Sequence, residues 1–345
     1  MKNLYIQTAF LGDLLLSVPT LKAIRQWRPQ QPLLLVCRKG FGSFMERLGV
    51  CDSVLEVDKK NVNSLRSLRE QLKAESYSHV FCPHQSFRSH SLVSLVDAQF
   101  KVGYKNFWNF FYFNKRIHRP LEWPEALRQL TLIAAVEPSF AERLRTYEEL
   151  GEKSIPTWAS MKVNPTWGKQ DIIDLARRVS LPLDKPFVCL APGSVWPTKR
   201  WNGYLALAKQ MGRRGMPIAL IGAPDEKNLA DAIAREVPQA FSLAGQLSLW
   251  ESLLVLSASQ GLVCNDSGAM HMASLIGLPT LSIFGPTVLE LGYEPWNQKA
   301  KVLQKDLSCR PCGQHGSRWC PIGTHACMNL VDPDEVFSHM QAWMG

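Results

Sequence analysis

The sequence predicts an α/β protein built from two parallel sheets, each wrapped by helices. Three observations carry that expectation. Short apolar runs rich in strand formers alternate with longer segments of helical period. The alternation lapses in an aperiodic, proline-containing stretch at 151–168, and it restarts after residue 185. A chain of 345 residues suits two domains better than one, and 46% hydrophobic residues can supply two cores.

In the first half the strands are "LYIQTAF" (4–10), "PLLLVC" (32–37), "SVLEVD" (53–58) and "HVFCPH" (79–84), with helical segments at Leu14 to Trp27 and Val62 to Ala74. Strand one is left through Leu11-Gly12-Asp13, which presents a carboxylate; Pro19 means that the following helix is kinked or starts near there. In the second half "FVCLAPG" (187–193), "PIALIGA" (217–223), "GLVCND" (261–266) and "PTLSIFGP" (279–286) alternate with helices near Tyr204–Arg214, Lys227–Val237 and Gly268–Ile276. The expected architecture is two Rossmann-like domains facing each other across a cleft, with ligands beyond the carboxyl ends of the strands. The boundaries are 1–155, a linker at 156–168, 169–330, and a C-terminal helical segment at 331–345.

Three strand ends in the second half carry polar groups. The loop "CLAPGSVWPTKRW" (189–201) combines a turn, the Ser194 hydroxyl and the Lys199 cation, a possible diphosphate grip, although Lys199 and Arg200 read equally well as exposed loop cations. It lacks the spacing of a P-loop. Asp225 and Glu226 follow a strand, where a carboxylate can accept ribose hydroxyls or favour a helix N-terminus. At Asn265-Asp266-Ser267-Gly268 a strand turns into a helix. Asp266 or Ser267 can cap it, its free N–H groups can bind a phosphate, Gly268 permits close approach, and His271 can donate to the same anion.

The net charge is +9, of which +7 lies in residues 1–155. That excess suits an anionic partner: nucleic acid, lipid or substrate. No apolar run is long enough to span a bilayer. The N-terminal stretch resembles a signal peptide only superficially, since Asp13 interrupts it and no cleavage site follows, so a cytoplasmic location is expected. Five cysteines, at 37, 51, 82, 189 and 264, lie in or near expected strands. Cys309, Cys312, Cys320 and Cys327 cluster in a loop, where a structural zinc, packed thiols and disulfides all stay open; His315 and His325 can replace a ligand.

Four stretches together resemble a known family: "GDLLLSVPTLKAIRQWRP" (12–29), "PGSVWPTKRWN" (192–202), "NDSGAMHMASLIGLPTLSIFGPT" (265–287) and "CRPCGQHGSRWCPIGTHACM" (309–328). The family is the ADP-heptose:lipopolysaccharide heptosyltransferases, glycosyltransferase family 9. Asn-Asp-Ser-Gly with its downstream His looks more like heptosyltransferase II than I. The resemblance implies a GT-B fold with an N-terminal acceptor domain, a C-terminal nucleotide-sugar domain and a last helix returning to the first domain. It implies Asp13 as catalytic base. The donor set it implies is Gly12, Ser194, Lys199, Glu226 (with Asp225 as the alternative register), Asp266, Ser267, Gly268 and His271. The implied reaction is inverting transfer of heptose from ADP-heptose without a catalytic metal. The implied acceptor is the anionic lipopolysaccharide inner core.

The aromatic and basic stretch "FWNFFYFNKRIHRP" (107–120) could then rest on the inner membrane or meet the acceptor through Lys115, Arg116 and Arg119; it also reads as strand and core aromatics with a solvated basic end. A GT-B transferase using another nucleotide sugar is the alternative. A nicotinamide-dependent oxidoreductase lacks its Gly-rich fingerprint here, and a nucleic-acid-binding protein leaves Asp13 and the 266–271 turn unused.

Overall fold

The structure, a computed structural model, describes residues 1–149, 151 and 155–343. It divides into two compact units, 1–165 and 166–345, the break falling inside the expected linker. Two of the residues named in the expected C-terminal segment, 344 and 345, lie outside the described residues, as do 152–154 of the aperiodic stretch.

The first unit holds β1 (Lys2–Gln7), β2 (Leu33–Arg38), β3 (Ser53–Val57), β4 (Ser76–Cys82), β5 (Asp97–Tyr104) and β6 (Lys115–Ile117). All pair in parallel, in the order β3-β2-β1-β4-β5-β6. Central β1 opposes Leu34 with Leu4 on one side and Val80 with Leu4 on the other. Helices on both faces explain why β1, β2 and β4 read as continuous apolar runs and not as alternating patterns. The second unit holds β7 (Val188–Ala191), β8 (Ile218–Leu220), β9 (Ala240–Ser242), β10 (Leu262–Asn265), β11 (Thr280–Phe284) and β12 (Ala300–Gln304). Its order, β12-β11-β10-β7-β8-β9, is the same doubly wound arrangement, again all parallel. In each unit the strand order reverses beside the first strand, between β1 and β4 and between β7 and β10. Those reversal points are where open α/β sheets bind ligands.

The segment after β1 is two helices, Leu11–Leu15 and Val18–Trp27, so of the two readings of Pro19 a new helix starts there, with the proline, which lacks an N–H, in its first turn. The structure differs from the sequence reading at three places. β5, β6, β9 and β12 had no expected counterpart; they are edge or near-edge strands with mixed burial and so lack a continuous apolar run. The expected linker is not a free tether. Ala159 and Met161 are fully buried, and Lys22 Nζ donates to the carbonyls of Ser160 at 3.0 Å and Lys162 at 2.8 Å. Finally, the helix Pro333–Met340, expected to return to the first domain, has its partners in the second unit. Val336, Phe337 and Met340 join the core formed by Leu207, Met211, Leu281 and Ile283. Behind it the Trp343 ring lies so close on Gly261 that a Cβ there would come within 2.3 Å of it.

Candidate active site

In the first unit, Asp13 follows β1 in the first turn of the helix Leu11–Leu15 and is half-buried. Its carboxyl is pushed up to about 6. Burial is the main cause and the Glu125 charge adds to it, while backbone N–H groups and Arg119 pull it back. Gly12 lies in the same turn, its carbonyl accepting from Leu16 N at 3.0 Å. At the end of β4, His84 Nδ1 sits 2.8 Å from Ser89 Oγ, 3.2 Å from Thr8 Oγ1 and 3.3 Å from Ser86 Oγ. Burial holds that imidazole at about 4, so it is neutral at physiological pH.

The three tentative surface cations separate. Lys115 and Arg116 are exposed on edge strand β6, with Arg116 6.0 Å from the Phe110 ring. Arg119 turns inward and pairs with buried Glu125 at 2.6 Å, its guanidinium 5.6 Å from the Tyr104 ring. Glu125 also faces Arg128, a second buried charge.

In the second unit, the strand ends at the reversal point are joined by Asn265. Its amide donates to the carbonyls of Pro192 at 3.0 Å and Gly193 at 2.9 Å, and its oxygen accepts from Trp201 N at 3.1 Å and Tyr204 OH at 3.2 Å. A fully buried Asn with all four capacities used fixes the turn after β7 against the turn after β10. Ser194 lies buried in the first of these turns, its carbonyl accepting from Arg200 Nε at 2.9 Å. Lys199 ends the short 3₁₀ turn Pro197–Lys199 and is not a free loop cation: it is buried and donates from Nζ to Asp266 Oδ2 at 2.5 Å. The same oxygen accepts from Thr287 Oγ1 at 2.6 Å.

Ser267 adopts an extended N-cap conformation before the helix Gly268–Ile276, yet neither it nor Asp266 caps the helix by its side chain. Asp266 is instead engaged by Lys199 and Thr287, which leaves the first-turn N–H groups at half-exposed Gly268 and Ala269 without a side-chain acceptor. His271 is buried one turn in, and its Nδ1 has no hydrogen-bond partner among the described residues. Burial lowers it to about 4 against the pull of Asp266, so the ring is neutral. A buried polar atom without a partner, beside helix N–H groups with no side-chain acceptor and a lysine, can receive an anionic ligand.

Glu226 turns inward from the 3₁₀ turn Pro224–Glu226, whereas Asp225 is exposed. Glu226 Oε2 accepts from Ala223 N at 2.8 Å, and burial raises its carboxyl. The carboxyl lies against two glycines: a Cβ at Gly193 would fall 2.0 Å from its Cδ, and one at Gly222 2.8 Å from Oε2. Small residues at both strand ends are what let this carboxylate reach the turn that carries Ser194.

A family model described as "Glycosyltransferase family 9 (heptosyltransferase)" matches residues 65–322, about three-quarters of the chain. The chain belongs to glycosyltransferase family 9. It is 22% identical to lipopolysaccharide heptosyltransferase 2 of Escherichia coli strain K12 over 357 aligned positions, covering 99% of this chain and 98% of that one. The solved E. coli ADP-heptose heptosyltransferase II superposes with a TM-score of 0.79 at 21% identity, covering 100% of this chain and 98% of that chain. A second E. coli heptosyltransferase, solved with ADP, gives 0.71 at 18% identity, with 99% of this chain and 100% of that chain covered. The fold is thus the GT-B type with two Rossmann-like domains.

In this glycosyltransferase family 9 chain the cysteine-rich loop 309–327 lies over the Lys199 turn. Thr198 Oγ1 donates to Ser317 O at 2.6 Å and accepts from Ser317 N at 3.0 Å, and His325 Nε2 lies 2.7 Å from Thr198 O. Cys312 N donates to Pro286 O at 2.8 Å, and Arg310 holds the carbonyls of Gly285 and Thr287. The zinc expectation for Cys309, Cys312, Cys320 and Cys327 is not met: among the described residues no group of three or more His, Cys, Asp or Glu is placed to hold a metal. Cys327 is buried in a helical turn while Cys309 is exposed, and Cys320 Sγ accepts from His325 N at 3.3 Å. All nine cysteines are free thiols. The loop's grip on Thr198, and the roles of Asn265, Thr287 and Arg310, had no sequence signal beyond lying in or near the quoted motifs.

Proposed function

We propose that this heptosyltransferase moves a heptose from ADP-heptose to the anionic inner core of lipopolysaccharide, with inversion, and that Asp13 is the general base. One observation carries the reading: functional groups of opposite chemical demand stand at the two sheet-reversal points, a carboxyl raised to about 6 in the first and a buried lysine with an uncapped helix N-terminus in the second. The relatives' names support the donor and the acceptor, and one solved relative holds ADP.

In this scheme the acceptor hydroxyl attacks the anomeric carbon and hands its proton to the Asp13 carboxylate. The bond to the diphosphate breaks, and its electron pair leaves on ADP. Charge grows on the leaving oxygen, where Lys199 Nζ, the N–H groups at Gly268 and Ala269, and the neutral His271 ring can meet it. Lys199 reaches that position by sharing or exchanging its Asp266 partner. Ser194 and Ser267 line the phosphate turns, and Glu226 takes the ribose hydroxyls. Similarity to relatives named heptosyltransferase 2 favours the heptosyltransferase II type over the I type. The first unit also carries Phe107, Phe110, Phe111 and Phe87 as exposed rings, 92%, 50%, 82% and 65% accessible, beside exposed Lys115 and Arg116. That surface supports a peripheral seat on an anionic bilayer, cytoplasmic in location.

The test is transfer in vitro. Purified protein, ADP-heptose and core acceptors carrying no heptose or one heptose are incubated, and products are weighed by mass spectrometry. A gain of one heptose on the mono-heptosylated core, abolished in a folded Asp13→Asn variant that still binds ADP, is expected. No mass gain on either acceptor, or full turnover by Asp13→Asn, overturns the reading.

A further inference from the structure

The turn that carries Asp13 is poorly held by its own backbone. Leu16 N donates to Gly12 O at 3.0 Å, but Ser17 N donates to Leu14 O at 3.1 Å, so the ladder tightens and skips Asp13. The Asp13 carbonyl is left to side chains: Gln129 Nε2 donates to it at 3.3 Å, and Ser17 Oγ, whose single proton is shared with Gln129 Oε1, lies at 3.1 Å.

Gln129 comes from the helix Glu125–Ala134, more than a hundred residues away in sequence, and is fully buried. Its amide is saturated. Nε2 also donates to Glu125 Oε1 at 3.1 Å, and Oε1 accepts from Ser17 Oγ at 2.6 Å and Tyr5 OH at 2.7 Å. The orientation is dictated by the partners, since the Glu125 carboxylate can only accept and the Tyr5 phenol, raised by burial, keeps its proton to donate. Glu125 is itself held by Arg119 at 2.6 Å. A chain of hydrogen bonds therefore runs from the Arg119–Glu125 pair through one amide to β1, to the start of the second helix and to the Asp13 backbone.

We propose that Gln129 is a positioning residue for Asp13: its amide replaces the backbone bond that Ser17 N withholds by donating to Leu14 O, and so fixes the direction in which the carboxylate leaves the turn. The role rests on Asp13 being the base. Gln129 is fully buried and offers no surface to a substrate, so its loss is expected to act on the chemical step and not on binding.

Gln129→Met, close in shape but unable to donate, lowers kcat about 10- to 100-fold, the cost of displacing a catalytic group by about an ångström, while both KM values stay within about threefold. Ser17→Ala removes the other donor to the Asp13 carbonyl and lowers kcat about 3- to 10-fold with the same KM pattern. Melting by circular dichroism and unchanged ADP binding in the second unit report that each variant is folded. If Gln129→Met does not fold, Ser17→Ala decides. Unchanged kcat in folded variants, or a loss confined to KM, overturns the proposal. Asp13→Asn, assayed in parallel, separates the two claims. Turnover surviving there overturns the base and this role with it; an inactive Asp13→Asn beside a fully active Gln129→Met overturns this role alone.

Discussion

At Asp13, burial raises a carboxyl toward the range in which a general base works near neutrality. The base must be ionised, and its folded value is about 6, so kcat should fall as pH drops through about 6, by about tenfold per unit below it. His84 and His271 stay neutral down to about 4 and cannot produce that limb. Rates measured at saturating donor keep the raised Glu226 carboxyl from entering through binding. A kcat flat from pH 5 to 8 would contradict the base. At Lys199 the buried side chain is paired with Asp266 at 2.5 Å. Lys199→Ala and His271→Ala should each weaken ADP binding, because a charge-assisted hydrogen bond is worth about 1.5–3 kcal/mol, or about 10- to 150-fold. Lys199→Ala should lower kcat as well, since the leaving diphosphate gains charge in the transition state. Calorimetry giving wild-type ADP affinity in both variants would remove the phosphate site from this helix terminus. Turnover should persist in EDTA; strict dependence on an added divalent ion would contradict charge stabilisation by Lys199 and the helix N–H groups.

Elements set which of these residues can meet, and here Gly193 is the sharpest case. A Cβ on it would fall 2.0 Å from Glu226 Cδ, and the obstructing group is the end of a side chain that can swing away. Gly193→Ala should therefore fold and melt close to wild type, within about 1 kcal/mol, while KM for the donor rises about tenfold because the carboxylate is driven from the strand end. An unchanged donor KM with a lowered melting temperature would make the glycine a packing residue only. Much of this element logic was legible beforehand. β1, β2, β4, β7, β8, β10 and β11 are apolar runs buried on both faces, and a run of that kind announces itself in sequence. β6 and β9 are three-residue edge strands whose burial is mixed, and no periodicity survives over three residues. Asp13, Lys199, Glu226 and Asp266 could be singled out in sequence because each lies in the loop or turn that leaves a strand. Gln129 was not, since a polar residue inside an amphipathic helix reads as surface until the buried partners on β1 and the Asp13 turn are known. The last helix misled for a related reason: its apolar face says that it packs, and not on which domain.

At the scale of the whole molecule, both units use one strand order, so a single rule points to a reversal point in each as the candidate site. Charge does not follow that symmetry. Of the net +9, +7 belongs to residues 1–155, and between Gln99 and Leu121 there is no Asp or Glu but five Lys or Arg and eight aromatic residues. The same stretch exposes Phe107 and Phe111, and Phe110 packs against Phe111 with ring centroids 3.9 Å apart. Among the described residues Phe107 and Phe111 stay exposed, and the neighbouring cations fit anionic headgroups. No helix among the described residues is long and apolar enough to cross a bilayer, so any attachment made by these rings is interfacial. Binding to vesicles should then need both terms. Vesicles containing anionic lipid should carry the protein down in a sedimentation assay, purely zwitterionic ones much less, and raising salt from about 0.05 to 0.5 M should release it as the Debye length shrinks. Phe107→Ser with Phe111→Ser should weaken binding to anionic vesicles about tenfold or more, since each ring buried in the interface is worth on the order of 1 kcal/mol. Transfer to a soluble, delipidated core acceptor should be unchanged, because those rings lie on the edge-strand loop and not at the Asp13 turn. Equal sedimentation of the wild type and the double variant would assign the aromatic loop to another partner and leave the transfer chemistry untouched.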